Sequence, residues 1–315
     1  MLSNIEAAIA ALSYPQQPEG LYEPIQYVLS MGGKRLRPML LLTAYSLYRE
    51  DWQQAMNAAL GVETYHNHTL LHDDLMDRAD VRRGLPTVHK KWDDNTAVLS
   101  GDAMLLLAYR LVACTQLPRQ HEAAQLLTES ALLICEGQQY DVNFETRSDV
   151  TEAEYIEMIR LKTSVLLGCA AKMGALLAEA PTEDCALLYD FAERVGLAFQ
   201  LQDDLLDTFG DPAVFGKRIG GDILCGKKTF LVHAAMRDMN EEEKTAFLAL
   251  LNTKELPADE KIARVTGIFR QHQAAERCEA RIAEYFEQAR QLLPRLSVDA
   301  TPLWNYAETL MKREK

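Results

Sequence analysis

Long stretches in which apolar residues recur at three- and four-residue steps restrict this chain more than any other feature. They run over residues 53–72, 97–117, 121–145, 151–180 and 183–209, and that spacing lines one face of a 3.6-residue helix. Alternating β-branched runs with hairpin signals are nearly absent. Punctuation is sparse: Pro15 and Pro18, Gly32-Gly33, Gly84 to Pro86, Pro118, Pro181, Gly210 to Pro212, and Gly216 to Gly226. Helices this long and this rich in Ala and Leu, with no interior proline, are too apolar to stand alone in water. They predict an all-α helical bundle. No Ser/Gly-rich or Pro-rich linker divides residues 1–315, so a single domain is expected. Its motif-bearing part is 32–229, and 230–315 is a helical C-terminal part.

With 48% apolar residues the chain can bury a large core, and global disorder is excluded. A formal charge of −13 argues against nucleic acid or an anionic membrane surface as the main partner. The cations are nevertheless clustered: Lys34, Arg35 and Arg37; Arg82 and Arg83; Lys217, Arg218, Lys227 and Lys228. Local basic pockets in an acidic protein suit a small anionic ligand. The six cysteines lack zinc-ligand spacing and fall mostly in apolar helical stretches, so buried thiols in a reducing cytoplasm are expected. Residues 1–6 carry no basic leader, and no run reaches the apolar length of a membrane span. A cytoplasmic location, without stable membrane insertion, is the expectation.

Two motifs carry the chemistry: Asp73-Asp74-Leu75-Met76-Asp77 and Asp203-Asp204-Leu205-Leu206-Asp207. Residues four apart share a helix face, so Asp73 pairs with Asp77, and Asp203 with Asp207. Each motif follows an apolar helical run, Thr69 to His72 before the first and Ala198 to Gln202 before the second. Carboxylates at a helix C-terminus oppose the helix dipole and repel one another. A hard cation would compensate them. Magnesium, which takes one or two carboxylates and fills its remaining positions with phosphate oxygens and water, suits such a set. A di-iron bundle would need paired Glu-x-x-His motifs, which the chain lacks.

The segment Gly32-Gly33-Lys34-Arg35-Leu36-Arg37-Pro38 puts cations at a helix start, where phosphate is favoured. Arg82 and Arg83 follow the first aspartate motif closely. Lys162-Thr163, Lys217 and Lys227-Lys228 accompany the second half.

In this combination the sequence resembles the trans-isoprenyl diphosphate synthases, the polyprenyl synthetase family. The resemblance runs from about Gly32 to Thr229 and rests on GGKRLRP, LLHDDLMDRADVRRGLPTVH, Gly101-Asp102, Lys162-Thr163, FQLQDDLLD and GKRIGGDILCGKKT. It implies a bundle around a deep central cavity, a homodimer, and condensation of isopentenyl diphosphate with an allylic diphosphate. It also implies that Asp73, Asp77 and Asp203 bind magnesium directly, while Asp74, Asp204 and Asp207 act through water or support the shell. A cluster of about three Mg²⁺ ions with diphosphate bound is implied. Arg82, Lys162 and Lys217 would bind the allylic diphosphate, with Lys227 close by. Lys34, Arg37, His66 and Arg83 would bind isopentenyl diphosphate. Thr163 and Gln200 would line the place where the allylic cation forms.

The growing product would descend along the helix before Asp73. At 1.5 Å per residue, His68 lies roughly 7 Å below Asp73 and Tyr65 roughly 12 Å. Thr69, His68 and Tyr65 are therefore the expected floor, and they favour a short C15 or C20 product. The first motif is a plain DDxxD, without the insertion common in bacterial farnesyl synthases, which leans toward geranylgeranyl diphosphate. Two other readings remain. A class I terpene cyclase shares the bundle but needs no isopentenyl site. A non-catalytic partner subunit would typically have lost one motif, and here both are whole.

Overall fold

Several helices pack through glycines that let backbones approach. The computed structural model describes residues 1–210 and 219–312. From the N-terminus come α1 (Leu2–Ala10), α2 (Glu19–Ser30), α3 (Leu36–Ser46) and α4 (Met56–Met76). A two-stranded hairpin, β1 (Val81–Arg82) and β2 (Leu85–Pro86), precedes α5 (Val88–Lys91) and α6 (Asp94–Ala113). The long helices α7 (Gln120–Thr146), α8 (Glu152–Ile159), α9 (Val165–Leu177) and α10 (Thr182–Phe209) follow. Then come α11 (Gly221–Cys225), α12 (Phe230–Met236), α13 (Glu241–Asn252), α14 (Ala258–Gln271), α15 (Ala274–Arg290) and α16 (Thr301–Met311). The fold is all-α, as expected.

The chain forms two compact units. The first comprises Met1–Ser130, Cys169–Tyr189 and Leu296–Leu303, the second Ala131–Gly168, Asp190–Arg295 and Trp304–Lys315. In the first, α4 packs along α6. A Cβ on Gly61 would stand 2.9 Å from the Ala108 carbonyl oxygen and 2.7 Å from Val112 Cγ2. Gly174 meets α3 still more closely, since a Cβ there would lie 2.1 Å from the Leu41 carbonyl oxygen. Tyr45, Tyr65, Leu41, Leu42 and Met104 fill this core. In the second unit, Tyr155, Ile159, Leu197, Leu201, Phe230, Leu231, Phe247 and Phe269 form one buried cluster. Helix α8 starts on a capping box in which Thr151 and Glu154 satisfy each other's backbone N–H.

Two expectations need correction. Cys169, Cys185 and Cys278 are buried, but Cys114, Cys135 and Cys225 are exposed. Cys114 and Cys225 sit at the ends of α6 and α11, and Cys135 lies on an outer face of α7. Among the described residues, α6 is long and apolar enough, by length and composition, to cross a membrane. Helix α6 buries Ala97, Ser100, Gly101, Met104, Ala108 and Val112, while Val98, Leu99 and Leu106 are exposed.

Candidate active site

The first aspartate motif closes α4. Asp73 lies in the last turn and Asp77 is the C-cap, its N–H donating to the Asp73 carbonyl at 2.8 Å. The two carboxylates share a face one turn apart, Asp73 half-buried and Asp77 exposed. Asp74 turns the other way. It is 5% exposed, and Arg82 grips it: Nε stands 2.9 and 2.8 Å from the two carboxylate oxygens, and Nη2 2.6 Å from Oδ1. Burial raises the Asp74 pKa and the guanidinium opposes that rise. For Arg82, burial lowers the pKa, but the bond to Asp74 prevails and raises it.

A sharp reversal makes this grip possible. Arg78 adopts φ 54 just past the helix, and the Ala79 N–H returns to the Asp74 carbonyl at 3.0 Å. The hairpin pairs Val81 with Pro86 and Arg82 with Leu85. Its two-residue turn, Arg83 at φ 51 and Gly84 at φ 78, has the paired positive angles of a type I′ turn. Thr87 Oγ1 ties the base by donating to the Ala79 carbonyl at 2.7 Å.

Arg82 and Arg83 go to different places. The Arg83 Nη1 donates to the Gly32 carbonyl, and its Cζ occupies the space 2.9 Å from where a Gly33 Cβ would stand. Gly33 is therefore required twice, for that space and for its φ of 136°. His66 lies amid Arg37, Arg83, Arg82 and Arg35. Burial first, and then these positive charges, hold its imidazole well below the usual histidine range. The structure thus brings together, within the first unit, the expected residues Arg37, His66 and Arg83. Lys34 is exposed beside them and Arg37 is buried.

Arg35, between them, is spent on architecture. It takes φ 48 as the α3 N-cap, pairs with Glu6 at 2.9 Å and Glu63 at 2.8 Å, and donates to the Leu29 carbonyl at 2.8 Å.

The expected floor residues line α4 toward α6. His68 Nδ1 donates to the Gly101 carbonyl at 2.9 Å. Burial, followed by nearby His72, holds its pKa down to about 4. Its ring stands 5.6 Å from the Tyr65 ring, and Tyr65 is 2% exposed. Thr69 Oγ1 donates back to the His66 carbonyl at 2.8 Å.

In the second unit, Asp203 and Asp207 repeat the outward pair, both half-buried near the end of α10. Asp207 Oδ2 accepts the Asp222 N–H at 3.0 Å and so caps α11. Asp204 repeats the inward role of Asp74. It is 4% exposed, accepts from Tyr155 Oη, and has Gln200 as a second hydrogen-bond partner. Burial, with the charge of Asp222 next, pushes its carboxyl well above the ordinary range. Lys227 Nζ stands 3.9 Å from Asp222 Oδ1. Lys217 lies outside the described residues.

Lys162 and Thr163 occupy a π-helical segment, Arg160–Ser164, between α8 and α9, a wide turn frequent at functional sites. Two glycines flank it. A Cβ on Gly137 would lie 2.4 Å from Lys162 N, and one on Gly196 2.9 Å from Ser164 Cα. Lys162 Nζ pairs with Asp141 at 2.6 Å. Neither Asp141 nor Tyr155 stood out in the sequence. Asp141 lies one turn beyond Gly137 on α7, a spacing that could have singled it out; Tyr155 left no signal.

Residues 18–269 match the family model described as polyprenyl synthetase, which extends the resemblance beyond 32–229 at both ends. A geranylgeranyl diphosphate synthase of Methanosarcina mazei is 40% identical over 265 residues, covering 84% of this chain and 80% of that enzyme. A geranylfarnesyl diphosphate synthase of Aeropyrum pernix is 38% identical, covering 90% of each chain. A crystal structure of a geranylgeranyl pyrophosphate synthase superposes with a TM-score of 0.91 at 43% identity, covering 100% of this chain and 97% of that one. The chain belongs to the polyprenyl synthetase family, and its chemistry is prenyl transfer.

Proposed function

We propose that this chain condenses isopentenyl diphosphate with an allylic diphosphate, giving a prenyl diphosphate of C15 to C20 length. The supporting observation is that the first unit carries two opposite sites on adjoining elements. The outward carboxylates Asp73 and Asp77 end α4, while Arg37, Arg83 and neutral His66 gather beside the Gly32-Gly33 turn. Paired guanidiniums suit a diphosphate. A terpene cyclase has no use for this second anion site, and a silent subunit has no need of two whole aspartate motifs.

The carboxylates fit magnesium. Asp73, Asp77, Asp203 and Asp207 offer oxygen donors only. Two outward carboxylates one turn apart at each helix end leave the remaining positions of the ion to phosphate oxygens and water. Bound Mg²⁺, about three ions with the diphosphate, would supply charge that stabilises the departing diphosphate. The side chains orient and neutralise. Arg82, Lys162 and Lys217 add positive charge for the allylic diphosphate, with Lys227 close by, and Arg82 also braces Asp74 beside the first pair. Lys34, Arg37, His66 and Arg83 hold isopentenyl diphosphate. Thr163 and Gln200 turn dipoles toward the allylic cation, and the released diphosphate takes the proton lost at the end. We assign both units to one prenyltransferase domain that works as a cytoplasmic homodimer.

The test is to incubate the purified protein with Mg²⁺, isopentenyl diphosphate and each allylic diphosphate, and to size the products. Asp73→Ala and Asp203→Ala should each lower turnover about 10³-fold, roughly 4 kcal/mol of transition-state stabilisation, with the thermal midpoint little changed. Near-normal turnover in either variant would remove the metal assignment. Light scattering of the same preparation should return twice the monomer mass.

A further inference from the structure

Tyr155 takes no part in the reaction outlined above, yet it is the hydroxyl donor to a carboxylate of the second aspartate motif. It sits on α8, 5% exposed, with its ring 6.0 Å from that of His233. Asp204 is reached from two sides, by Tyr155 Oη from α8 and by Gln200 from one turn earlier on α10. Both are neutral donors, whereas the equivalent Asp74 is held by the full charge of Arg82. Asp203 and Asp222 add negative charge around Asp204. A buried carboxyl so surrounded gains by rotating toward any cation bound at its neighbours, and its hydrogen bonds to Tyr155 and Gln200 hold it inward.

We propose that Tyr155 is a positioning residue for the second motif: with Gln200 it fixes the Asp204 carboxylate inward, so that Asp203 and Asp207 are presented to the metal–diphosphate. This rests on the metal reading of the preceding subsection. Losing the hydroxyl frees Asp204 to compete for the cation in a different geometry and weakens the productive one.

Tyr155→Phe keeps the ring and its packing while removing the donor. Calorimetric titration of Mg²⁺ into protein with inorganic pyrophosphate should show binding weakened fivefold or more. The Mg²⁺ concentration for half-maximal turnover should rise equally, with KM for isopentenyl diphosphate unchanged. Because Tyr155 acts through Asp204, the double variant Tyr155→Phe/Asp204→Asn should bind no more weakly than Asp204→Asn. Tyr45→Phe is the control. Tyr45 is fully buried and its hydroxyl donates to Asp51 at 3.0 Å, remote from either motif in sequence, so both readouts should stay at wild-type values. Should Tyr155→Phe fail to unfold cooperatively, Gln200→Met carries the test through the Mg²⁺–pyrophosphate titration alone, with a shift in the same direction, because its turnover also reflects the place of Gln200 beside the allylic cation. Wild-type Mg²⁺ titration in Tyr155→Phe, or an equal shift in Tyr45→Phe, overturns the role of Tyr155 and leaves the function intact. A wild-type protein with neither Mg²⁺-dependent pyrophosphate binding nor prenyl transfer overturns the function, and this role with it.

Discussion

Gly33 shows how one residue without a side chain can set a binding site. Its missing Cβ is the space that the Arg83 guanidinium fills, at 2.9 Å, and its φ of 136° bars most other residues. Gly33→Ala should displace Arg83 and raise KM for isopentenyl diphosphate roughly tenfold, about 1.4 kcal/mol. KM for the allylic substrate should change little, and steady-state kinetics with each substrate varied would show the split. His68 poses a different question. Its hydrogen bond to the Gly101 carbonyl at 2.9 Å turns the ring toward α6 rather than leaving it loose. As a floor residue, His68→Ala should lengthen the product by one or more isoprene units, read by mass spectrometry of the dephosphorylated products. An unchanged distribution would put the floor elsewhere. Some of these roles could be read from residue type and spacing, among them the i, i+4 carboxylate pairs. The inward turn of Asp74 and Asp204 could not. Neighbouring aspartates look alike in a sequence, and only the tertiary partners Arg82 and Tyr155 separate them.

At the scale of elements, the π segment Arg160–Ser164 depends on its two glycine neighbours. Gly137→Ala on α7 would press a Cβ to 2.4 Å from Lys162 N, against backbone that cannot rotate aside. Overpacking of this kind costs about 1–3 kcal/mol. We expect a lower denaturant midpoint together with a fall in kcat, as the wide turn shifts Lys162 away from Asp141. Loss of stability with kcat unchanged would make the segment purely structural. The periodicity that located α7 and α10 to within a residue or two could not locate this turn. Residues 151–180 read as one helical run, because a single wider turn leaves apolar spacing nearly intact. Helix α6 was read as far as residue 117 but ends at Ala113, since buried Thr115 and Leu117 continue the pattern into a loop. The hairpin was missed altogether. Its two-residue strands are too short to alternate, and its turn uses Arg83 where Asn or Asp is usual.

Across the whole molecule, burial keeps His66, His68 and His233 below the ordinary histidine pKa. Unfolding releases them to about 6.5, so the unfolded chain binds more protons. Their contribution is intact above about pH 6.5 and is lost as pH falls, for His68 through about 4. The histidines lower the urea midpoint at pH 5 relative to pH 7.5, while the raised carboxyls of Asp74 and Asp204 act the other way. The test is therefore His68→Gln, whose midpoint should fall less than that of the wild type between pH 7.5 and pH 5; parallel midpoints in the two proteins would mean that His68 takes up its proton within the fold. The all-α class was readable because helix periodicity recurs along nearly the entire chain. The partition into two units was not, since no change of composition marks it. The hairpin also limits how this fold can vary in length. Val81 and Leu85 are 58% and 41% exposed, the profile of a loop that ordinarily tolerates insertions. Yet consecutive arginines leave it in opposite service, one to α4 and one to the Gly32 carbonyl. Adding or deleting a single residue between Asp77 and Gly84 would dephase both attachments together. Length drift among relatives should be filtered out of this surface loop and collect in the connections that hold no such pair.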